Sequence, residues 1–75
     1  MSFEIGQSVV VKNDIGSIKY IGTTKFAPGV WYGIELLQPK GKNNGSVQGV
    51  KYFDCKEDDN GFYGIFVKGS MLNAL

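Results

Sequence analysis

The chain has 75 residues, with eight basic residues, all of them lysine, against seven acids, so its formal net charge is +1. This balance argues against a nucleic-acid-binding surface, which shows as a strongly basic face. The absence of histidine removes a common general base and metal ligand. We expect a non-enzymatic single domain over residues 1–75, whether complete or the N-terminal part of a longer protein.

Short β-type runs separated by glycine-rich turns are predicted along the chain. No window between the eleven glycines sustains a 3.6-residue apolar period, so no helix is expected. Runs rich in β-branched and aromatic residues favour strands at residues 8–12, 18–21, 31–37, 50–53 and 65–68, with a turn at 13–16. The pattern predicts an all-β fold, a small barrel or sandwich of about five short strands.

Two connections between these strands stand out. Residues 22–30 form a structured turn that ends before Trp31. The connection from Leu37 to Gly49 is longer and has no apolar period, and such a loop in a small domain is usually functional or disordered. Its regularly placed glycines favour an ordered, functional loop.

The stretch Gly-Lys-Asn-Asn-Gly at residues 41–45 carries the most specific chemistry. Its glycines allow a tight turn and close approach of a ligand to the main chain. Lys42 supplies a cation with three donors, and the two asparagines supply donors and acceptors. Such a loop beside aromatic surface suits a short acidic peptide end better than it suits catalysis.

The aromatic residues on either side of this loop have two interpretations. Phe26, Trp31 and Phe66 are either core residues or walls of a groove beside Lys42. Large rigid rings are over-represented at binding hot spots, which favours the second interpretation without excluding the first. Tyr52 and its neighbour in the same predicted strand point to opposite faces, so one can be core while the other is not.

An acidic run follows the fourth predicted strand and surrounds the only cysteine. We interpret residues 54–59 as a solvated loop. Cys55 cannot form an internal disulfide, and without histidine to activate it we interpret it as a small buried residue rather than a nucleophile. No apolar run approaches the roughly 20 residues of a membrane span, and residues 1–4 do not open a signal peptide. We expect a cytosolic protein without metal, cofactor or membrane contact.

Five ordered motifs resemble the CAP-Gly family over nearly the whole chain. They lie at residues 16–22, 26–33, 41–49, 51–55 and 64–68. Within the family the sequence is most similar to the branch of the dynactin large subunit, with the cytoplasmic linker proteins and tubulin-folding cofactor B close behind.

The resemblance implies a fold, a ligand and a set of binding residues. The fold is a glycine-rich SH3-like barrel, and the ligand is the acidic C-terminal tail of α-tubulin or of end-binding proteins, ending in Glu-Glu-Tyr or Glu-Glu-Phe. The implied peptide-binding residues are Phe26, Trp31, Lys42, Asn43, Gln48, Tyr52, Phe66 and Lys68. The implied loop-shaping residues are Gly41, Asn44, Gly45 and Gly49. We expect a monomeric isolated domain that links a motor-adaptor complex to microtubules in the cytoplasm.

Three departures from the family pattern bear on this reading. Asn44 stands where the family usually has aspartate, which affects how the loop is braced. The stretch from Lys56 to Tyr63 is longer than usual and acidic, so it either lies away from the groove or repels an acidic ligand. Lys68 stands where several relatives have arginine, which keeps the charge but loses the bidentate fork.

Two other functions remain open at this level. A tubulin-folding cofactor module would use the same domain chemistry on free tubulin. A small β-barrel that binds nucleic acid would stack bases on its aromatic residues, although the net charge argues against it.

Overall fold

Nine short strands and one 3₁₀ turn make up the regular structure of residues 2–75, which are the residues described by a computed structural model. The strands are β1 Ser8–Val11, β2 Asp14–Gly22, β3 Trp31–Leu36, β4 Ser46–Val47, β5 Val50–Lys51, β6 Glu57–Asp58, β7 Gly61–Phe62, β8 Gly64–Val67 and β9 Leu72–Ala74, with the 3₁₀ turn at Gly69–Met71. The predicted all-β class is confirmed. No helix within residues 2–75 has the length and apolar character needed to span a membrane.

Five of these strands form one antiparallel sheet in the order β8-β3-β2-β1-β9. The long strand β2 pairs with β1 on one side and β3 on the other, and its register shifts between Ile18 and Tyr20. The remaining strands form two separate hairpins, β4–β5 and β6–β7. Both hairpins lie in the chain between β3 and β8, so they are placed next to the loop that the sequence singled out.

An aliphatic core lies on one face of the main sheet. Alternation along β2 buries Gly16 and Ile18 while Ile15 and Lys19 remain exposed. The core residues are Val9, Val11, Ile18, Ile34, Leu36, Val67 and Leu72, and three of them, Val9, Ile18 and Ile34, are fully buried. Burying one such side chain is worth about 1.5–3 kcal/mol, so these few residues supply most of the stability of a chain this short.

The strand predictions hold for element type and differ at several ends. The turn predicted at residues 13–16 is confined to Lys12 and Asn13, because Asp14 already pairs with Val11 in the β1–β2 ladder. The strand predicted at 50–53 ends at Lys51. The hairpin β6–β7 and the final strand β9 carry no apolar alternation long enough to mark them in the sequence.

Candidate functional site

A group of aromatic side chains meets at one side of the barrel, although its members come from five separate segments. We call Tyr20, Phe26, Trp31, Tyr52 and Phe66 the ring cluster. Phe26 is central, with ring centroids 5.3 Å from Trp31, 5.9 Å from Tyr52 and 5.1 Å from Phe66. The contacts are edge-to-face or tilted, which is the favoured geometry for aromatic pairs. All five rings are half-buried, so they are neither sunk in the core nor fully exposed.

Hydrogen bonds fix the polar tips of the cluster to nearby main chain. The Tyr52 hydroxyl accepts a bond from the Lys25 amide at 2.9 Å. The Trp31 indole N–H donates to the Pro28 carbonyl at 3.3 Å. Residues 22–30, predicted to be a structured turn, are therefore tied to the cluster at Lys25 and at Pro28.

The two neighbours Tyr52 and Phe53 separate as predicted, one half-buried and one in the interior. Phe53 is only 7% exposed, and its ring lies 5.5 Å from that of Phe66. Contrary to the prediction, the two residues lie outside the strand, because their amides both donate hydrogen bonds to the Gly45 carbonyl, at 2.8 and 3.3 Å. Phe53 thus supports the ring cluster from the interior through its contact with Phe66, and we call it the floor residue.

A cleft of about 280 Å³ opens beside the ring cluster. Two rings, three lysines and three apolar side chains line it: Trp31, Phe66, Lys12, Lys42, Lys68, Ile65, Val67 and Met71. The structure therefore brings four of the eight predicted peptide-binding residues to one cleft. No acidic side chain lines it, so the cleft combines apolar surface with positive charge only.

The three lysines of the cleft differ in how they are held. The Lys68 ammonium lies 4.5 Å from the Trp31 ring centroid and donates to the Pro28 carbonyl at 3.1 Å. This cation–π contact fixes the head group against the ring. Within residues 2–75, Lys12 and Lys42 form no salt bridge and no side-chain hydrogen bond. Their charges are therefore the ones not already engaged inside the protein.

The glycine-rich loop is anchored to the start of β8. Lys42 and Asn43 both donate main-chain bonds to the Gly64 carbonyl, at 2.7 and 3.0 Å, and Gly64 donates to the Asn43 carbonyl at 2.8 Å. A Cβ on Gly41 would lie 2.7 Å from the Gly64 nitrogen, so only glycine allows this approach. Gly45 has φ +93°, and a Cβ at this position would clash with the Phe53 main chain, so this position also requires glycine.

Asn43 and Asn44 both shape this loop. The Asn43 side-chain oxygen accepts a bond from the Gly45 amide at 2.9 Å, which leaves its NH₂ group as the part available to a ligand. The Asn44 oxygen accepts from the Ser46 amide at 3.2 Å, and its NH₂ group donates to a Glu57 carboxylate oxygen at 2.7 Å. An aspartate at position 44 has no proton to donate to that carboxylate, so the departure at 44 fits the acidic stretch that follows.

Four of the predicted binding residues lie outside the lining of the cleft: Phe26, Asn43, Gln48 and Tyr52. Phe26 and Tyr52 support the rings that line it. Gln48 is exposed at the tip of the β4–β5 hairpin, with φ +51°, followed by Gly49 at φ +83°. Successive residues with positive φ are typical of the tight turns that close hairpins.

Sequence reasoning missed Lys12, Ile65, Val67 and Met71 as lining residues. Lys12 lies in the β1–β2 turn and Met71 in the 3₁₀ turn, so neither lies near the glycine-rich loop in sequence. The pairing of β1 with β9 sets Val11 opposite Leu72, so Lys12 and Met71 lie next to each other at the cleft. Ile65 and Val67 belong to a predicted strand, but no local pattern shows that the edge of this strand faces a cleft.

The acidic stretch contains the β6–β7 hairpin, and its carboxylates lie outside the lining of the cleft. Asp58 accepts a 2.6 Å bond from the Tyr63 hydroxyl, which lowers the pKa of Asp58 and raises the pKa of Tyr63. The Lys56 ammonium lies 4.7 Å from the Tyr63 ring centroid. Asp54 pairs with Lys51. None of the acids of this stretch lines the cleft. Of the two alternatives, this favours the one in which the stretch lies away from the groove.

Cys55 is half-buried rather than buried as expected. Burial, together with the neighbouring Glu35 carboxylate, raises the pKa of its thiol to about 11. The thiol is therefore protonated at neutral pH, and a protonated thiol is a poor nucleophile.

Comparisons with known proteins agree on one family of domains. The family model described as the CAP-Gly domain matches residues 5–72. Protein NIP100 of Saccharomyces cerevisiae is 49% identical over 71 residues, covering 88% of this chain and 8% of that protein. Microtubule-associated protein ssm4 of Schizosaccharomyces pombe is 39% identical over 71 residues, covering 95% and 10%. Human CAP-Gly domain-containing linker protein 3 is 44% identical over 73 residues, covering 96% and 13%. The chain thus spans only a small part of each of these relatives.

Solved structures show the same fold. The solution structure of the CAP-Gly domain in human kinesin-like protein KIF13B has a TM-score of 0.83 and 36% identity, covering 97% of this chain and 70% of that one. The Bik1 CAP-Gly domain, solved with the ETF peptide from Bim1, has a TM-score of 0.76 and 32% identity, covering 89% and 78%.

Proposed function

The chain belongs to the CAP-Gly family, a family of protein-interaction domains, and from this premise we propose that it binds acidic peptide tails that end in an aromatic residue. The observation that carries the proposal is the composition of the cleft. Two rings and three ammonium groups line it, and no carboxylate does. A ligand that offers one ring and several carboxylates complements both features.

The ring cluster accounts for the aromatic end of the ligand. A terminal ring packs against Trp31 and Phe66, whose orientations are fixed by Phe26 and by the floor residue Phe53. Because these neighbours hold the walls in place before binding, little side-chain freedom is lost when the ligand arrives. Burial of a ring also adds a contribution that salt does not screen.

The lysines account for the acidic part of the ligand. Lys42 faces the carboxylates of the tail or its terminal carboxylate, and Lys12 offers a second ammonium group at the other end of the cleft. Lys68 keeps its contact with Trp31 and retains two further N–H donors. The Asn43 NH₂ group supplies a neutral donor beside Lys42, and we assign Gln48 a contact with the part of the ligand that extends beyond the cleft.

One small cleft of this kind supports moderate affinity. A charge-assisted hydrogen bond contributes about 1.5–3 kcal/mol. A few of them together with one buried ring, less the cost of ordering a flexible tail, give about −8 kcal/mol, which is micromolar binding. Tighter attachment to a polymer requires several domains acting on its repeated tails.

The finer identity of the partner is a further part of this proposal. We assign the tails to α-tubulin and to end-binding proteins, which places the domain on cytoplasmic microtubules. A relative named as microtubule-associated and a neighbour solved with a Bim1 peptide support this assignment. In one-letter code ETF reads Glu-Thr-Phe, an acid followed by an aromatic end. The sequence resemblance to the dynactin branch supports a role in linking a motor adaptor to the microtubule.

Calorimetric titration with paired peptides tests the proposal. One peptide ends in Glu-Glu-Tyr, and the second lacks only the tyrosine. We expect micromolar binding of the first and at least tenfold weaker binding of the second, because the ring contact is lost. Equal affinities would show a purely electrostatic contact. No binding of either peptide would overturn the proposed ligand class.

A further inference from the structure

Strand β8 is an edge of the main sheet, and its main-chain groups alternate in direction. Tyr63, just before the strand, accepts a bond from the Leu36 amide at 2.8 Å, so it points toward β3. Ile65 and Val67 follow it at spacings of two and pair with β3 in the same register. The residues between them therefore point their N–H and C=O groups away from β3, toward the open side of the sheet.

Most of these outward groups are bonded within the protein. The Phe62 carbonyl accepts from the Gly41 amide at 2.9 Å, and Gly64 exchanges bonds with Asn43. At the other end, the Lys68 carbonyl accepts from the Met71 amide at 3.0 Å. Phe66 lies between these covered positions, and its N–H and C=O have no hydrogen-bond partner within residues 2–75.

The cleft lies along this bare edge. It contacts three consecutive residues, Ile65, Phe66 and Val67. Side chains of consecutive strand residues point to opposite faces, so a cleft that contacts all three runs along the strand edge rather than over one face. Lys42 stands beside Gly64 at one end, and Lys12 stands beside the turn that follows β8 at the other.

We propose that the acidic peptide joins β8 as a short extended strand, with its main chain bonded to the N–H and C=O of Phe66. The inference rests on the proposed function and adds a contact by main chain to those made by side chains. At about 3.3 Å per residue, the three residues of β8 that border the cleft, Ile65 to Val67, match about three residues of an extended ligand. Addition of a strand to a free sheet edge is a general mode of peptide recognition.

Two consequences follow for the ligand. The segment in the cleft must be extended, and it must offer a free N–H at one particular position. Carboxylates flanking that segment meet Lys42 at one end and Lys12 at the other. Specificity for an acidic tail then comes from both ends, while the central contact is indifferent to the ligand side chain because it uses main chain only.

Amide hydrogen exchange measured by NMR on the 75-residue chain tests the contact directly. In the free domain the Phe66 amide exchanges without protection, and saturation with the Glu-Glu-Tyr peptide slows it by about tenfold or more. The exposed Asp59 amide at the tip of the β6–β7 hairpin, which lies outside the lining of the cleft, is the control and keeps its rate. A through-bond scalar coupling between the Phe66 nitrogen and a labelled peptide carbonyl would establish the bond itself.

A second measurement uses peptides in which each of the last three amides is replaced in turn by an ester. We expect one ester to bind about tenfold more weakly, the scale of one lost hydrogen bond, and the others to bind like the parent. If the parent binds, and neither the Phe66 exchange rate nor any ester changes, this inference is wrong while the proposed function stands. If the parent does not bind, both are wrong.

Discussion

The aliphatic core and the ring cluster differ in burial, although both draw residues from strands β2, β3 and β8. Core residues such as Ile18 and Ile34 come from paired strands and are 0% exposed. All five members of the ring cluster are half-buried: Phe26 and Tyr52 lie in connections between strands, whereas Tyr20, Trp31 and Phe66 lie in strands. Phe53 is as buried as the core residues, at 7% exposure, and its ring contacts Phe66 of the ring cluster.

The difference separates the residues that supply stability from those that we propose for recognition. A chain of 75 residues has little apolar material to spare. Here the aliphatic side chains close the interior, whereas most of the large rings stay half-buried and two of them, Trp31 and Phe66, line the cleft. Rings suit this position because they pack against each other by their edges and still present a face to solvent.

The largest expected effect is a loss of stability caused by a substitution in the aliphatic core. Ile18→Ala removes a fully buried side chain and leaves a cavity, which costs about 2–5 kcal/mol of unfolding free energy. Urea unfolding followed by tryptophan fluorescence measures the loss. The fraction that remains folded should bind the tail peptide with unchanged affinity. A large stability loss from Ile18→Val as well, beyond about 1.5 kcal/mol, would show that shape rather than volume governs this core.

Lys42→Gln tests the other side of the comparison, because Lys42 lines the cleft beside the ring cluster. It removes a cleft charge and keeps most of the side chain, so we expect tail binding to weaken by about 1.5–3 kcal/mol, which is tenfold or more. The unfolding free energy should change by less than about 0.5 kcal/mol because Lys42 is exposed. Calorimetry and urea unfolding of the same sample check the two statements. Binding equal to that of the parent chain would remove the glycine-rich loop from the site.

Asn44→Asp tests whether the loop and the acidic hairpin are coupled. It replaces the donor of the 2.7 Å bond to Glu57 by a second carboxylate, which should cost about 1 kcal/mol of stability. Glu57→Gln in the same chain restores a donor and should recover most of the loss. A double-mutant cycle from urea unfolding gives the coupling energy. Strictly additive effects would mean that the two residues act independently.

The smallest expected effect concerns the lysine that the sequence did not indicate. Lys12→Gln should weaken tail binding about two- to threefold at low salt, the scale of one exposed charge pair. The effect should fade as salt is added. Lys25→Gln is the matched control, since Lys25 is exposed and lies outside the cleft. An equal loss in both variants would indicate only the net charge of the domain.

The fold class was predictable from the sequence, whereas several strand ends were not. Runs such as residues 8–12 are rich in β-branched residues, and their strand character depends on that local property. The end at Lys51 depends instead on bonds from Tyr52 and Phe53 to Gly45, which lies in a different segment. Strands β6, β7 and β9 have two or three residues each, too short for an alternation pattern to be visible.

The candidate site was predictable in its loop and rings and not in its full lining. Trp31, Lys42, Phe66 and Lys68 meet at the cleft, and the resemblance to the family had indicated them. Their role in binding stays a prediction, as does that of Gln48 at the exposed hairpin tip. Lys12 could not be found, because a turn lysine far along the chain carries no local sign of where the sheet will bring it.

The sequence by itself determined the residue types: β-forming runs, glycines where the main chain comes too close for a side chain, and an excess of rings over what the core needs. Only the tertiary structure decided which of these residues share a surface. Local propensity acts through neighbours in the chain. The cleft depends on strand pairing, which places Lys12, Met71 and Lys42 around one cleft and leaves Phe66 with unpaired main-chain groups at the sheet edge. That arrangement depends on strand pairing over long separations, which no single segment specifies.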